Sequence, residues 1–438
     1  MSANVSQADP NRKHLEAVRT FIAEGDLQQA ALTLNKAQKQ IPDDPRVFMM
    51  AGLMAEKAGN LPKAFESMRL SVAMAPDWGP GLLELAMLLA RQNQFQEAVE
   101  TAEKVANLEP GNLVVLAGVV DVAHRAGHLE MAVRHLQRGL QMVPGDVQLR
   151  RHLARDLSSL GQHAQALQEW NSLIAENPQD TEALLGRVQT HLAAGKPGLA
   201  VSDTTSLLEL APGDSVYAYY NALAHGITPA HQPAELNRAL FDGMAEIYDQ
   251  HTVRGLRYQL PKLVADQILA RFPDRKLNVL DLGCGTGLLG VCLGRLDGYL
   301  IGVDISRKMI EQAARHNVYD RFHTVDLIEA LHETPGDIYE VMTALDVFIY
   351  AGDLTEAIPD ALRILKGQGD LIFSCETAPE DGADLVLQVN GRYAHKRSHV
   401  QALCKAAGFE SVEIQDLTLR LENNLPVQGF VVTARKPV

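Results

Sequence analysis

The chain has 438 residues, more than one ordinary hydrophobic core accommodates, so two or three domains are expected. A content of 46% hydrophobic, 21% charged and 5% aromatic residues is that of a folded, soluble protein and excludes a disordered or fibrous chain. Forty Lys and Arg against 54 Asp and Glu leave a net charge of −14, which offers no grip on phosphates and sets nucleic acid aside as a partner. The first residues, MSANVSQADPNRK, lack a basic segment followed by an apolar one, and no stretch approaches the roughly 20 apolar residues that cross a bilayer. Neither export nor a membrane anchor is expected. Cys284, Cys292, Cys375 and Cys404 form no CxxC pair, which argues against a disulfide framework or a thiolate metal site and suits a reducing cytoplasm.

The first half of the chain is periodic. Prolines stand at Pro42, Pro76, Pro110, Pro144, Pro178 and Pro212, a step of 34 residues without a slip. Gly25, Gly59, Gly127, Gly161 and Gly195 keep the same step, with Asn93 in the missing place, and five residues after each comes Ala30, Ala64, Ala98, Ala132, Ala166 or Ala200. A helix needs a permissive residue to turn back, a small one where two helices cross, and a proline beyond the second helix. The unit is therefore a helical hairpin. This grammar resembles the tetratricopeptide repeat, with six units over residues 11–214 although the family's Trp and Tyr positions are mostly unfilled. The resemblance implies an all-helical superhelix whose concave face holds a protein or peptide partner, the alternative being a scaffold or self-association surface. Residues 214–225 (DSVYAYYNALAH) read as a capping helix, completing a repeat domain over 11–225. Residues 226–235 (GITPAHQPAE), with two prolines and no apolar periodicity, read as a linker.

From Leu277 onward, short apolar runs alternate with helical segments, the pattern of an α/β domain over 236–438 with a mostly parallel sheet covered on both faces. The run 277–282 (LNVLDL) leads straight into Gly283-Cys284-Gly285-Thr286-Gly287 and then a helix. Glycines at such a turn let a ligand approach the backbone and the N-H groups of the helix start, so a nucleotide-like ligand is implied. Gly285 to Gly290 also satisfies GxGxxG, but as a dinucleotide motif the turn would start two residues late and leave Asp281 unexplained. Asp304, seventeen residues past Gly287 at the next strand tip, suits a ribose diol in either case.

Asp281-Leu282-Gly283-Cys284-Gly285-Thr286-Gly287 resembles the first motif of class I S-adenosylmethionine-dependent methyltransferases, which share a Rossmann-like fold. The resemblance implies S-adenosylmethionine as cofactor and S-adenosylhomocysteine as product. Asp281 would hold the methionine end, and Asp304-Ile305-Ser306 the ribose. Asp326-Leu327 would meet the adenine, and Asp346 would lie beside the reactive methyl. The series follows the family's order. Residues 240–249 and 256–261, Gly391-Arg392-Tyr393-Ala394-His395, Leu419-Arg420-Leu421-Glu422 and Pro426-Val427-Gln428-Gly429 are similar to a group of bacterial methyltransferases that carry tetratricopeptide repeats. In that arrangement Tyr248 and Tyr258 would lie on a helical lid over the cofactor.

Methyl transfer from sulfonium requires alignment and exclusion of water, plus a base where the acceptor is an amine or hydroxyl. Asp346, Tyr350 and His395 are the candidate bases, the last for its unperturbed pKa, although His395 in the basic run His395-Lys396-Arg397 can equally cap a helix. His395 and His399 are four apart, but with no third ligand no metal site is expected. The expected function is methylation of a protein or peptide positioned by the repeats. The alternatives are a small-molecule methyltransferase that uses its repeats for assembly, or a non-catalytic repeat protein with a cofactor-sensing pocket.

Overall fold

The computed structural model describes residues 9–245, 248, 258–422 and 425–438, and the expectations for 246–247, 249–257 and 423–424 lie outside the described residues. Two compact units result, Met1–Gly195 and Lys196–Val438. The division between them falls inside the sixth repeat, between its first helix Thr181–Ala193 and its second, Val201–Leu210, and the expected linker 226–235 lies within the second unit. No helix among the described residues is long and apolar enough to cross a membrane.

In the first unit the 34-residue period becomes helix pairs, beginning with Arg12–Glu24 and Leu27–Gln40. Each turn is made by the residue that the period singles out, with Gly25 at φ 81° and Asn93 at φ 58°. Only a residue tolerant of the left-handed region ends a helix this way. The alanine of each repeat there is completely buried, Ala30, Ala64, Ala98, Ala132 and Ala166 all at 0% exposure, because there the two helices cross; Ala200, in the second unit, is also at 0%. Trp170, also at 0%, donates from Nε1 to Thr190 Oγ1 (3.0 Å). A methyl on Gly186 would stand 2.4 Å from its ring, so that close crossing requires glycine. Partly buried ion pairs link the first helices of successive units: Arg91 with Glu56 (2.6 Å), His124 with Asp156 (2.7 Å), and Arg151 with Asp180 (2.6 Å).

The second unit begins with Val201–Leu210 and Ser215–Ala224 and continues into a nine-stranded sheet. Its strands are β1 (Val279–Leu282), β2 (Leu300–Asp304), β3 (Arg321–Thr324), β4 (Tyr339–Ala344) and β5 (Leu365–Ala378), followed by β6 (Leu385–Leu387), β7 (Tyr393–Lys396), β8 (Ser411–Glu422) and β9 (Leu425–Arg435). The order is β3-β2-β1-β4-β5-β7-β6, with β9 antiparallel to β5 and β8 antiparallel to β9. Strands β1 to β5 are parallel; β1 and β2 are almost wholly buried, whereas β3 (RFHT), at the sheet's edge, is polar and mostly exposed. Alternate residues supply the two faces: Leu280, Met342 and Phe373 pack on one, Val279, Val341 and Ile372 on the other. The chain order reverses between β1 and β4, and a crevice opens there at the strands' carboxyl ends.

Residues 226–235 are no free linker. Pro229 O accepts from the Tyr393 hydroxyl (3.0 Å), Ala230 O from the Asp353 N-H (2.8 Å), and the His231 ring bonds through Nδ1 to Ala351 O (2.7 Å). Gly352, at φ 80°, lets this happen, since a side chain there would strike Ala230 O at 2.1 Å.

Candidate functional site

The loop after β1 turns on three left-handed glycines, Gly283, Gly285 and Gly287. A Cβ on Gly283 would lie 2.2 Å from Val347 Cγ2, whereas one on Gly285 would meet nothing nearer than 4.0 Å and project into open space. That space is a pocket of about 890 Å³, counting its open mouth, at the tips of β1, β2, β3 and β4.

Asp304 ends β2 and pins the loop. Its Oδ2 accepts the Gly285 N-H (2.9 Å) and its Oδ1 the Ser306 N-H (2.8 Å). Each oxygen keeps a lone pair for a ligand hydroxyl. Burial pushes its pKa up to about 6 against the opposing pull of those N-H groups. Asp326 lines the pocket while capping the helix Leu327–Glu333 through the Ile328 N-H (2.8 Å). Asp346, just past β4, holds a strained φ of 55°. Ser374 Oγ accepts its N-H (2.7 Å) and donates to Oδ1 (3.0 Å), and Arg420 Nη1 donates to Oδ2 (2.7 Å). Burial raises its pKa and Arg420 opposes the rise.

Arg420 is 4% exposed and also meets Glu376 and Glu422, while Arg392 pairs with the same two glutamates. The Gly391–His395 and Leu419–Glu422 stretches, distant in sequence, therefore meet in one buried ionic cluster beside the pocket. Burial raises the Tyr350 phenol, with Arg392 and Arg420 pulling the other way.

Of the expected residues, Gly283, Gly285, Asp304, Ile305, Asp326, Leu327, Asp346, Tyr350 and Tyr248 line this pocket. Seven do not. Asp281 is sealed beneath the loop, accepting from Tyr319 Oη (2.6 Å) and Thr343 Oγ1 (2.8 Å), and burial lifts its pKa to about 6. Cys284 and Thr286 are buried, and Gly287 packs against Ala313 and Tyr319. Ser306 is fully buried, capping the helix Arg307–Ala314 and donating to Asp242 Oδ1 (2.6 Å). Tyr258 belongs to the apolar cluster with Leu260 and Val264. His395 is 2% exposed and donates from Nε2 to Gly352 O (2.6 Å), and burial lowers its pKa. It fastens a turn and does not reach the pocket.

The sequence reading missed His231, Gln232 and Asn237, all of which line the pocket. Asn237 and Phe241 share a face of the helix Ala234–Met244, a spacing of four that was visible in the sequence. The residues present fit an adenosyl sulfonium. The pocket has a glycine wall, an acid at the tip of β2 with lone pairs to spare, further acids for a cation, and two buried amide oxygens, Gln232 Oε1 and Asn237 Oδ1, that meet no donor among the described residues.

A pH test follows from Asp304. Its native carboxyl takes up a proton as the pH falls through about 6, well before the unfolded one does, so lowering the pH from 7 to about 5 stabilises the ligand-free protein. Affinity for a cationic adenosyl ligand falls over the same window because the charge is lost. Calorimetry and thermal melts across that range check both signs; Asp304→Asn flattens the binding profile and removes Asp304's share of the stability gain, while Asp281, also raised to about 6, keeps its own.

Residues 273–413 match the methyltransferase domain family, and residues 15–77 and 151–215 match the tetratricopeptide repeat. The chain is 24% identical over 228 residues to a ubiquinone biosynthesis O-methyltransferase of Thiobacillus denitrificans, covering 46% of this chain and 94% of that one. Among solved structures it is similar to the magnesium protoporphyrin IX methyltransferase of Synechocystis with bound S-adenosylmethionine (TM-score 0.37, 21% identity, 48% of this chain and 100% of that one). It is also similar to pilF of Pseudomonas aeruginosa (TM-score 0.38, 17% identity, 49% and 97%).

Proposed function

We propose that this chain, which joins tetratricopeptide repeats to an S-adenosylmethionine-dependent methyltransferase domain, methylates a hydroxyl oxygen of a small molecule while its repeats hold a protein or peptide partner on their concave face. The observation that carries the reaction is the Asp304 carboxylate, fixed by two backbone N-H groups with lone pairs left to accept a ribose diol. Asp326 and Leu327 flank the adenine side, and Gly283 and Gly285 give the backbone close approach. Bound there, S-adenosylmethionine supplies an electrophilic methyl group. The protein's part is to orient the acceptor, keep water out and take a proton. Asp281 is best read as a buried brace for the loop, joined to Tyr319 and Thr343, and not as a ligand to the methionine end.

A small acceptor is favoured over the protein substrate that the fusion suggests, because 229–232 and the helix Ala234–Met244 help wall the pocket, the helix being tied by Asp242 to Ser306 beyond β2 and by Phe241 to Tyr350 beyond β4. The O-methyltransferase relatives point the same way. A partner on the repeats then serves assembly or recruitment, in the manner usual for stacked helical hairpins. The four free cysteines suit a reducing cytoplasm.

Calorimetry with S-adenosylmethionine, S-adenosylhomocysteine and NAD tests the cofactor, and folded protein that binds neither adenosyl ligand defeats the reading. Incubating tritiated cofactor with cell extract tests the acceptor. Label is expected in the small-molecule fraction, and label confined to protein would return the substrate to the repeats.

A further inference from the structure

We infer that Asp242 is a positioning residue for the cofactor: through the Ser306 hydroxyl it holds the turn that aims the Asp304 carboxylate at the ribose. This rests on the methyltransferase reading above and deepens it, because it gives a role in the site to a side chain that does not itself line the pocket.

The turn is short. β2 ends at Asp304, and the helix Arg307–Ala314 begins three residues later. The carboxylate receives the Gly285 N-H on Oδ2 (2.9 Å) and the Ser306 N-H on Oδ1 (2.8 Å), so its remaining lone pairs point wherever Gly285 and Ser306 direct them. The glycine loop is fixed from the sheet, since the Cys284 N-H donates to Val303 O (2.9 Å). Ser306 is fixed by its side chain. It is fully buried, and its Oγ accepts the Met309 N-H (3.1 Å) while donating to Asp242 Oδ1 (2.6 Å). A hydroxyl has one proton, and here it is committed to Asp242.

Nothing in the helix Ala234–Met244 itself calls for an acid at this place. Asp242 lies in the last turn, where the helix dipole disfavours negative charge. The helix has no fully buried residue, so its position depends on what its side chains grip. Phe241 packs edge to face on Tyr350 beyond β4, centroids 5.1 Å apart at 82°, and Asn237, one turn earlier, lines the pocket. The next side chain, Asp242, reaches the opposite side and ends on Ser306. Its charge also adds to burial in pushing the Asp304 pKa up, which burdens the ligand-free protein. Ribose hydroxyls donating to Asp304 would relieve that repulsion. The contact between Asp242 and Ser306 therefore tightens as the ribose binds, and by reciprocity it strengthens the hold on the ribose.

The test is the affinity of the full chain for S-adenosylhomocysteine, read by calorimetry at alkaline pH, well above the Asp304 pKa of about 6, so that this acid is ionised in each variant that retains it. Asp242→Ala is expected to weaken binding about tenfold, as for a lost hydrogen bond to a charged group. Asp242→Asn keeps an acceptor oxygen for the Ser306 hydroxyl and should stay within about threefold of the wild type. In an Asp304→Ala background, adding Asp242→Ala should cost less than about twofold more, because its route runs through that carboxylate. Adding it to Ser306→Ala should likewise cost less than about twofold. Circular dichroism confirms that each variant is folded. A tenfold loss that persists in the Asp304→Ala background overturns the inference and leaves Asp242 as a prop for its own helix. Asparagine as weak as alanine overturns it too, as does an alanine variant that binds as the wild type does. In each of these cases the wild type still binds, and the methyltransferase reading stands. Folded wild-type protein that binds no S-adenosylhomocysteine defeats both.

Discussion

Replacing Arg420 with Met is expected to destabilise the methyltransferase unit by about 3–5 kcal/mol, the loss that follows when one partner of a buried ionic cluster is removed. The guanidinium is 4% exposed and serves Asp346, Glu376 and Glu422 together. Arg392 still covers the two glutamates, but Asp346 keeps only the Ser374 hydroxyl and its own strained backbone. An unpaired carboxylate in that position must either stay charged at high cost or take up a proton. Because burial already pushes the Asp346 pKa up and Arg420 holds it down, the variant should recover part of its stability as the pH falls, where the wild type gains less. Urea unfolding of the full chain, following the transition that S-adenosylhomocysteine shifts, measures the effect. A loss below about 1 kcal/mol, as for an exposed pair, would show that the cluster is solvated.

Asp304→Ala should weaken S-adenosylmethionine binding by about 100-fold or more. Two charge-assisted contacts to a ribose diol are worth about 3 kcal/mol, and the Gly285 and Ser306 N-H groups lose their acceptor as well. Asp304→Asn keeps one acceptor oxygen and should fall between the two. Calorimetry reads the affinities, and circular dichroism confirms that each variant is folded. A tenfold effect or less for alanine would mean that the ribose is held elsewhere.

Features that declare themselves through spacing were legible. A period of 34 marks every turn, down to Asn93 replacing glycine, because left-handed backbone and close helix crossings restrict residue identity. Asp304 could be placed at the pocket because an apolar strand ending in an acid announces where that acid sits, while Asp326 and Asp346, which also line it, were legible only through the resemblance of their motifs to the methyltransferase series. Asp281 ends β1 in the same way, yet its carboxylate is consumed by Tyr319 and Thr343, partners 38 and 62 residues away that no local pattern links to it. His395 was a candidate base only for the ordinary pKa of its side chain, and nothing local to it shows that pairing of β7 between β5 and β6 buries it. Residues 229–231 were the least visible. They dock largely through main-chain carbonyls, which every residue possesses, so composition records nothing of the contact.

That docking bears on how such proteins can be recombined. A graft that exchanges the repeat array at residue 236, where the recognisable methyltransferase sequence begins, would carry away His231 and Gln232 and leave Tyr393, Asp353 and Ala351 facing water. A productive exchange must cut upstream of Gly226, so the unit of inheritance for the catalytic half is longer than the stretch its motifs reveal.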